Sequence, residues 1–116
     1  MIFSMRFEEI LVMSNNYNIP DWLEEKVRNR DKKCIYCRVK MKEYRHTKGT
    51  PGDKATFEHI DNDGPPTVGN IAMCCATCNS SKGTKKLRDW LKSDYCRAKN
   101  INLKTVAPII RKYISP

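Results

Sequence analysis

Two cysteine pairs in this 116-residue chain stand at metal-ligand spacing. Cys34 and Cys37 form one C-x-x-C, and Cys75 and Cys78 form another, with 37 residues between the pairs. Each pair can present two thiolates to one ion, and two such pairs complete the tetrahedral four-sulfur set that suits Zn2+. The same thiols have a second chemistry open to them, as a pair of disulfides or as buried free thiols. The sequence shows no secretory leader pattern, and a reducing compartment keeps thiols reduced, which favours metal. Cys74 competes with Cys75 as a ligand, yet only Cys75 keeps the two-residue spacing to Cys78. Cys74 and Cys96 are then left as small buried side chains.

The segment between the pairs carries Glu58-His59 at the end of an apolar run and Asn70 just before a second run, and Asn79 directly follows the last cysteine. Hydrolysis of a phosphodiester needs an activated water, charge neutralisation on the phosphoryl oxygens and stabilisation of the leaving oxyanion. An imidazole is largely neutral near pH 7 and can accept the water's proton, which is the role open to His59. Glu58 and Asn79 offer hard oxygen atoms that suit one Mg2+ or Mn2+. Adjacent strand residues point to opposite faces, so Glu58 and His59 can share one assembly only if the strand ends or bends there. Lys82 lies one helical turn beyond Asn79, where its ammonium could either reach a neighbouring phosphate or stand solvated. Asp61 and Asp63 in DNDG are expected as turn formers, His46 as a loop residue, and Trp90 as core.

These stretches resemble the HNH endonuclease family. "RDKKCIYC" is similar to its first zinc knuckle, "FEHI" to its first catalytic strand, and "GNIAMCCATCNSSKG" to its second strand, second knuckle and helix start. The likeness covers about residues 30–92. It departs from the commonest pattern at Glu58, where Asp is usual, and at Asn79, where the family's final His often stands. The resemblance implies an α+β fold: a small ββα-metal (His-Me finger) core stapled by a four-cysteine zinc site, with flanking helices. It also implies nicking of one DNA strand per active site, with His59 as general base, and 5′-phosphate and 3′-hydroxyl ends. Asn70 would orient the catalytic loop through its backbone, and Glu58 and Asn79 would hold the catalytic Mg2+ or Mn2+.

The elements that must position these groups are short. Pro20-Asp21 opens a helix that runs to about Arg30. Cys34 to Cys37 reads as a turn, and Val39 to Tyr44 as a short strand or a helical turn. Ala55 to Ile60 reads as a strand, and the turn-rich DNDGPPTVGN leads to a second apolar run at Ile71 to Met73, so the two form a hairpin with a long tip. Leu87, Trp90 and Leu91 sit at i, i+3, i+4 and predict an amphipathic helix from about Cys78 to Lys92. A last helix is expected from about Leu103 to Tyr113, interrupted or begun at Pro108. By these signals residues 1–18 are expected to form an N-terminal extension, and Met13, just downstream of the necessarily purine-rich codons of Glu8 and Glu9, is a candidate natural start. Residues 19–95 form the zinc-knuckle domain and 96–116 a basic helical extension.

Composition narrows the setting. The chain carries 22 Lys and Arg against 13 Asp and Glu, a formal +9. Residues 81–116 hold ten basic and two acidic side chains, so nearly all the excess lies in the last third. A polyanion is the matching partner. A solvated lysine-rich surface has the same composition; it is the HNH resemblance that implies double-stranded DNA, with Lys82, Lys85, Lys86 and Arg88 on phosphates. No apolar run is long enough to span a bilayer, and a cytoplasmic setting in a bacterial or phage-infected cell is expected. One active site cuts one strand, so cutting both requires a homodimer or sequential nicking by a monomer. Two other readings share the residues. One is a non-catalytic zinc-knuckle nucleic-acid-binding module; the other is an HNH component of a phage packaging or homing system, active only with partner proteins.

Overall fold

The computed structural model describes residues 19–44 and 49–114. The segment 1–18, with the expected start at Met13, and His46 lie outside the described residues. In chain order the described elements are α1 (Asp21–Arg30), β1 (Ala55–His59), β2 (Ile71–Cys75), α2 (Ala76–Lys82), α3 (Leu87–Trp90), α4 (Asp94–Ala98) and α5 (Pro108–Ile114). The chain is thus a small α+β protein around a two-stranded antiparallel sheet.

β1 and β2 pair in regular register from Ala55 opposite Cys75 to His59 opposite Ile71. Each strand has two faces, and each face finds its own cover. Ala55, Phe57, Ile71 and Met73 pack against Ile19, Leu23 and Val27, the buried stripe on and just before α1. Ala72, Cys74 and Ile60 turn the other way, into a larger core with Cys34, Ile35, Tyr36, Leu87, Trp90 and residues of the C-terminal third. A two-stranded hairpin is marginal alone; here both its faces are covered. The C-terminus of α1 is tied to β2: Asp31 accepts from the Met73 backbone N–H at 3.0 Å, and Arg30 donates to the Ile71 carbonyl at 2.8 Å.

Two expectations change, for the helix after Cys78 and for Val39 to Tyr44. The long helix from Cys78 to Lys92 is broken, because Gly83 takes φ +52° and ends α2, and Leu87 restarts helical structure in α3. Its apolar i, i+3 pair survives, with Leu87 and Trp90 both buried. The last helix begins at Pro108, the later of the two starts expected, as suits a residue without an N–H to donate. Val39 to Tyr44 forms isolated bridges, Lys33 with Lys40 and Lys42 with Lys54, and no named strand. The short α4 has no counterpart among the expected elements; Ser93 caps it by accepting from the Cys96 N–H. Position 96 marks no break in packing, since Cys96, Ile101, Val106, Ala107, Ile110 and Ile114 belong to the same core as Cys34 to Tyr36. The Ala107 N–H donates to the Ile35 carbonyl at 2.8 Å.

Candidate functional site

The four knuckle cysteines converge. Their sulfurs all lie within 4.8 Å of one another, and Cys37 and Cys75 are 3.7 Å apart. A tetrahedral ion with metal–sulfur bonds of about 2.3 Å separates its sulfurs by about 3.8 Å, whereas a disulfide needs about 2.05 Å. The spacing is compatible with one shared metal ion. The first cysteine of each pair also accepts backbone donors: Tyr36 and Cys37 N–H to Cys34 Sγ at 3.4 and 3.5 Å, and Cys78 N–H to Cys75 Sγ at 3.4 Å. These bonds stabilise thiolate charge. Hydrogen bonds among the four sulfurs push Cys34 and Cys78 up and Cys37 and Cys75 down, Cys75 to about 7. Shared protons are what a dication would replace. The four cysteines can therefore hold a zinc ion, which would crosslink the first knuckle to the β2–α2 junction. Cys74 stands apart, its sulfur 3.8 Å from the Thr56 hydroxyl.

Glu58 and His59 do not share a face. Pairing stays regular through His59, so Glu58 turns with Thr56 toward α2, while His59 has the parity of Ala55 and Phe57. Glu58 is buried and His59 only partly so. Asn79 stands over the Glu58 side of β1: its amide donates to the Thr56 hydroxyl at 2.9 Å and to the Phe57 carbonyl at 3.3 Å. Asn70 is buried and clamps the loop that follows His59. Its Oδ1 accepts from the Asp61 N–H at 2.8 Å, and its Nδ2 donates to the carbonyls of Asp61 and Pro65 at 3.0 and 3.1 Å. Asp61 also forms a turn, accepting from the Asp63 N–H at 3.0 Å.

Lys82 is placed otherwise than expected. Its side chain is fully buried, 0% exposed, with Nζ 3.4 Å from a Glu58 carboxylate oxygen and donating to the His59 carbonyl at 3.4 Å. A phosphate contact for Lys82 has no place in this arrangement. The Tyr36 hydroxyl donates to the same Glu58 oxygen. Burial, ahead of the nearby Glu58 charge, holds the Tyr36 phenol well above its ordinary range, so it stays a donor. Burial also raises Glu58, against the lowering effect of Lys82 and then Tyr36. The burial of Lys82 had one signal in the sequence, its i+4 position from the metal-ligand candidate Cys78 on a helix. The reach of Tyr36 to Glu58 had none.

The Mg2+ or Mn2+ implied at Glu58 and Asn79 does not fit these residues. Mg2+ needs six oxygens in near-octahedral array and keeps several waters. Here the carboxylate is enclosed, already hydrogen-bonded to Tyr36 and already neutralised by an ammonium.

Of the other basic candidates, Lys85, Lys86 and Arg88 are exposed. Lys85 Nζ donates to the Ser81 carbonyl at 3.0 Å and Arg88 to the Ile114 carbonyl at 2.8 Å. Lys86 and Arg88 line an open groove of about 690 Å³ with Ile60, Asp61, Asn62 and Asp63, directly beyond the end of β1. Trp90 is core, its indole N–H donating to Ser81 Oγ at 2.9 Å. Comparison with family models, with curated proteins and with solved structures finds no match for this chain.

Proposed function

We propose that this chain is an endodeoxyribonuclease of the HNH type, hydrolysing phosphodiester bonds one strand at a time. The observation that carries the reading is the hairpin–helix order with His59 at the last paired position of β1 and Asn70 clamping the loop beyond it. His59 takes the proton of a water. The resulting hydroxide attacks phosphorus, the P–O3′ bond breaks, and the 3′ oxygen takes a proton from solvent, leaving 5′-phosphate and 3′-hydroxyl ends. Asn70 fixes the loop that follows His59. Lys85, Lys86 and Arg88, on the exposed surface beside the groove, hold the flanking phosphates.

The test is nicking of supercoiled plasmid by zinc-loaded protein, with Mg2+ or Mn2+ added or omitted. His59→Ala is expected to abolish nicking while zinc content and DNA affinity persist. Unchanged nicking in that variant rejects the mechanism. A non-catalytic zinc module is the second reading, favoured by the closed Glu58–Lys82 pair. It predicts DNA binding without nicking by wild type under every cation condition.

A further inference from the structure

We propose that Lys82 is the resident cation of the Glu58 pocket: its ammonium takes the place beside the carboxylate that a divalent ion would need, and Glu58 is not a metal ligand. Three observations carry this. The Glu58 and Lys82 side chains are 3% and 0% exposed, with 3.4 Å between ammonium and carboxylate. Tyr36, anchored inside the first knuckle, donates to the same oxygen. Lys82 also holds the carbonyl of His59 at 3.4 Å, so one ammonium neutralises the pocket and pins the end of β1.

Charge and coordination both oppose a dication here. One carboxylate and one ammonium already cancel, and a divalent ion added beside them would leave an uncompensated double charge in a site with little water to screen it. Swinging Lys82 away would strip the His59 carbonyl of this donor and loosen the strand end that presents the imidazole. Lys82 is thus a positioning residue. Occupancy of the pocket by an ammonium holds whether or not the chain cleaves DNA, so its test needs no nicking.

The experiment follows the side-chain 13C carboxyl resonance of Glu58 in the zinc-loaded full chain while Mg2+ is raised through the millimolar range. In wild type the resonance is expected to stay fixed. In Lys82→Met it is expected to move on Mg2+ addition, saturably, because the carboxylate has lost its cation. A saturable Mg2+ shift of Glu58 in wild type would overturn the proposal, and so would a folded Lys82→Met in which Glu58 ignores Mg2+. If Lys82→Met does not fold, the wild-type titration alone decides.

Discussion

At the residue scale the Glu58–Lys82 pair sets the energetics of the site. A buried ion pair gains little over a neutral pair of similar shape, but breaking it by removing one partner costs about 3–5 kcal/mol, because the other charge is left stranded. Glu58→Gln is therefore expected to destabilise by that order, leaving Lys82 buried and unpaired. Glu58→Gln with Lys82→Met is expected to fall far short of the sum of the single changes, since Gln still accepts from Tyr36 and no charge remains. Denaturant unfolding of the four proteins measures the coupling, and simple additivity would show that the two charges do not act as a pair. The Lys82→Met variant also carries a sign in pH. The groups facing Glu58 are Tyr36 from the knuckle, Cys74 from β2 and Lys82 from α2. Burial already raises Glu58, and deleting Lys82 removes the main opposing influence, so its folded pKa rises further. A carboxyl raised on folding contributes stability that is present below its unfolded pKa and is lost as pH rises through the folded one. The difference in stability between Lys82→Met and wild type should thus widen from acid toward neutral pH; a constant difference would show that Glu58 does not titrate there.

At the element scale, two glycines set where the site's supports stop. Gly83 ends α2 at φ +52° with ψ −127°, a region close to glycine-only, and Gly83→Ala is expected to cost about 1–3 kcal/mol. A Cβ at Gly64 would meet Asn70 Nδ2 at 2.7 Å, and that amide cannot yield without losing its bonds to Asp61 or Pro65. Gly64→Ala is expected to lower melting temperature modestly and to raise hydrogen exchange at the Asp61 amide, which Asn70 holds. Unaltered exchange there would mean that the clamp tolerates the methyl. The legible parts of the fold are those written in local sequence. α1 follows from Pro20-Asp21 and the apolar Trp22, Leu23 and Val27, of which Leu23 and Val27 are buried while Trp22 is 59% exposed; the hairpin follows from two apolar runs around a turn-rich tip, and the knuckles from cysteine spacing. The break at Gly83 is hidden because Leu87 and Trp90 keep helical phase beyond it. The place of Lys82 is hidden for a different reason. Helical spacing gives the face a side chain leaves from, whereas burial depends on what closes over that face, and here that is the Glu58 carboxylate of a strand 24 residues earlier.

At the scale of the whole molecule, charge and zinc act separately. The ten basic residues after position 80 include Lys82, which is buried, so the cationic surface is smaller than the sequence count. On the proposed nuclease reading, DNA affinity is expected to fall steeply with salt, and Lys85→Ala with Lys86→Ala to flatten the log–log slope by about 2, one for each phosphate no longer neutralised. A slope unchanged by the pair would place the DNA elsewhere. Zinc bears on the fold itself. Cys34, Ile35 and Tyr36 sit in the main core with Trp90 and Ile110, and the Tyr36 ring lies edge-on to Trp90 at 4.8 Å. Trp90 in turn stacks on Tyr95 at 5.9 Å, and the Tyr95 hydroxyl stands 3.3 Å from Cys78 Sγ. The four-cysteine cluster, the aromatic cluster and the C-terminal third are therefore one packing unit, in which four thiols cannot all ionise without a counter-ion. Chelation of zinc under reducing conditions is expected to unfold helices and hairpin together, seen as one coincident transition in far-UV circular dichroism and tryptophan fluorescence. Refolding should need Zn2+ and fail for Cys78→Ser. A native spectrum retained after zinc is removed would show that burial alone holds the core, and would reduce the four cysteines to close neighbours.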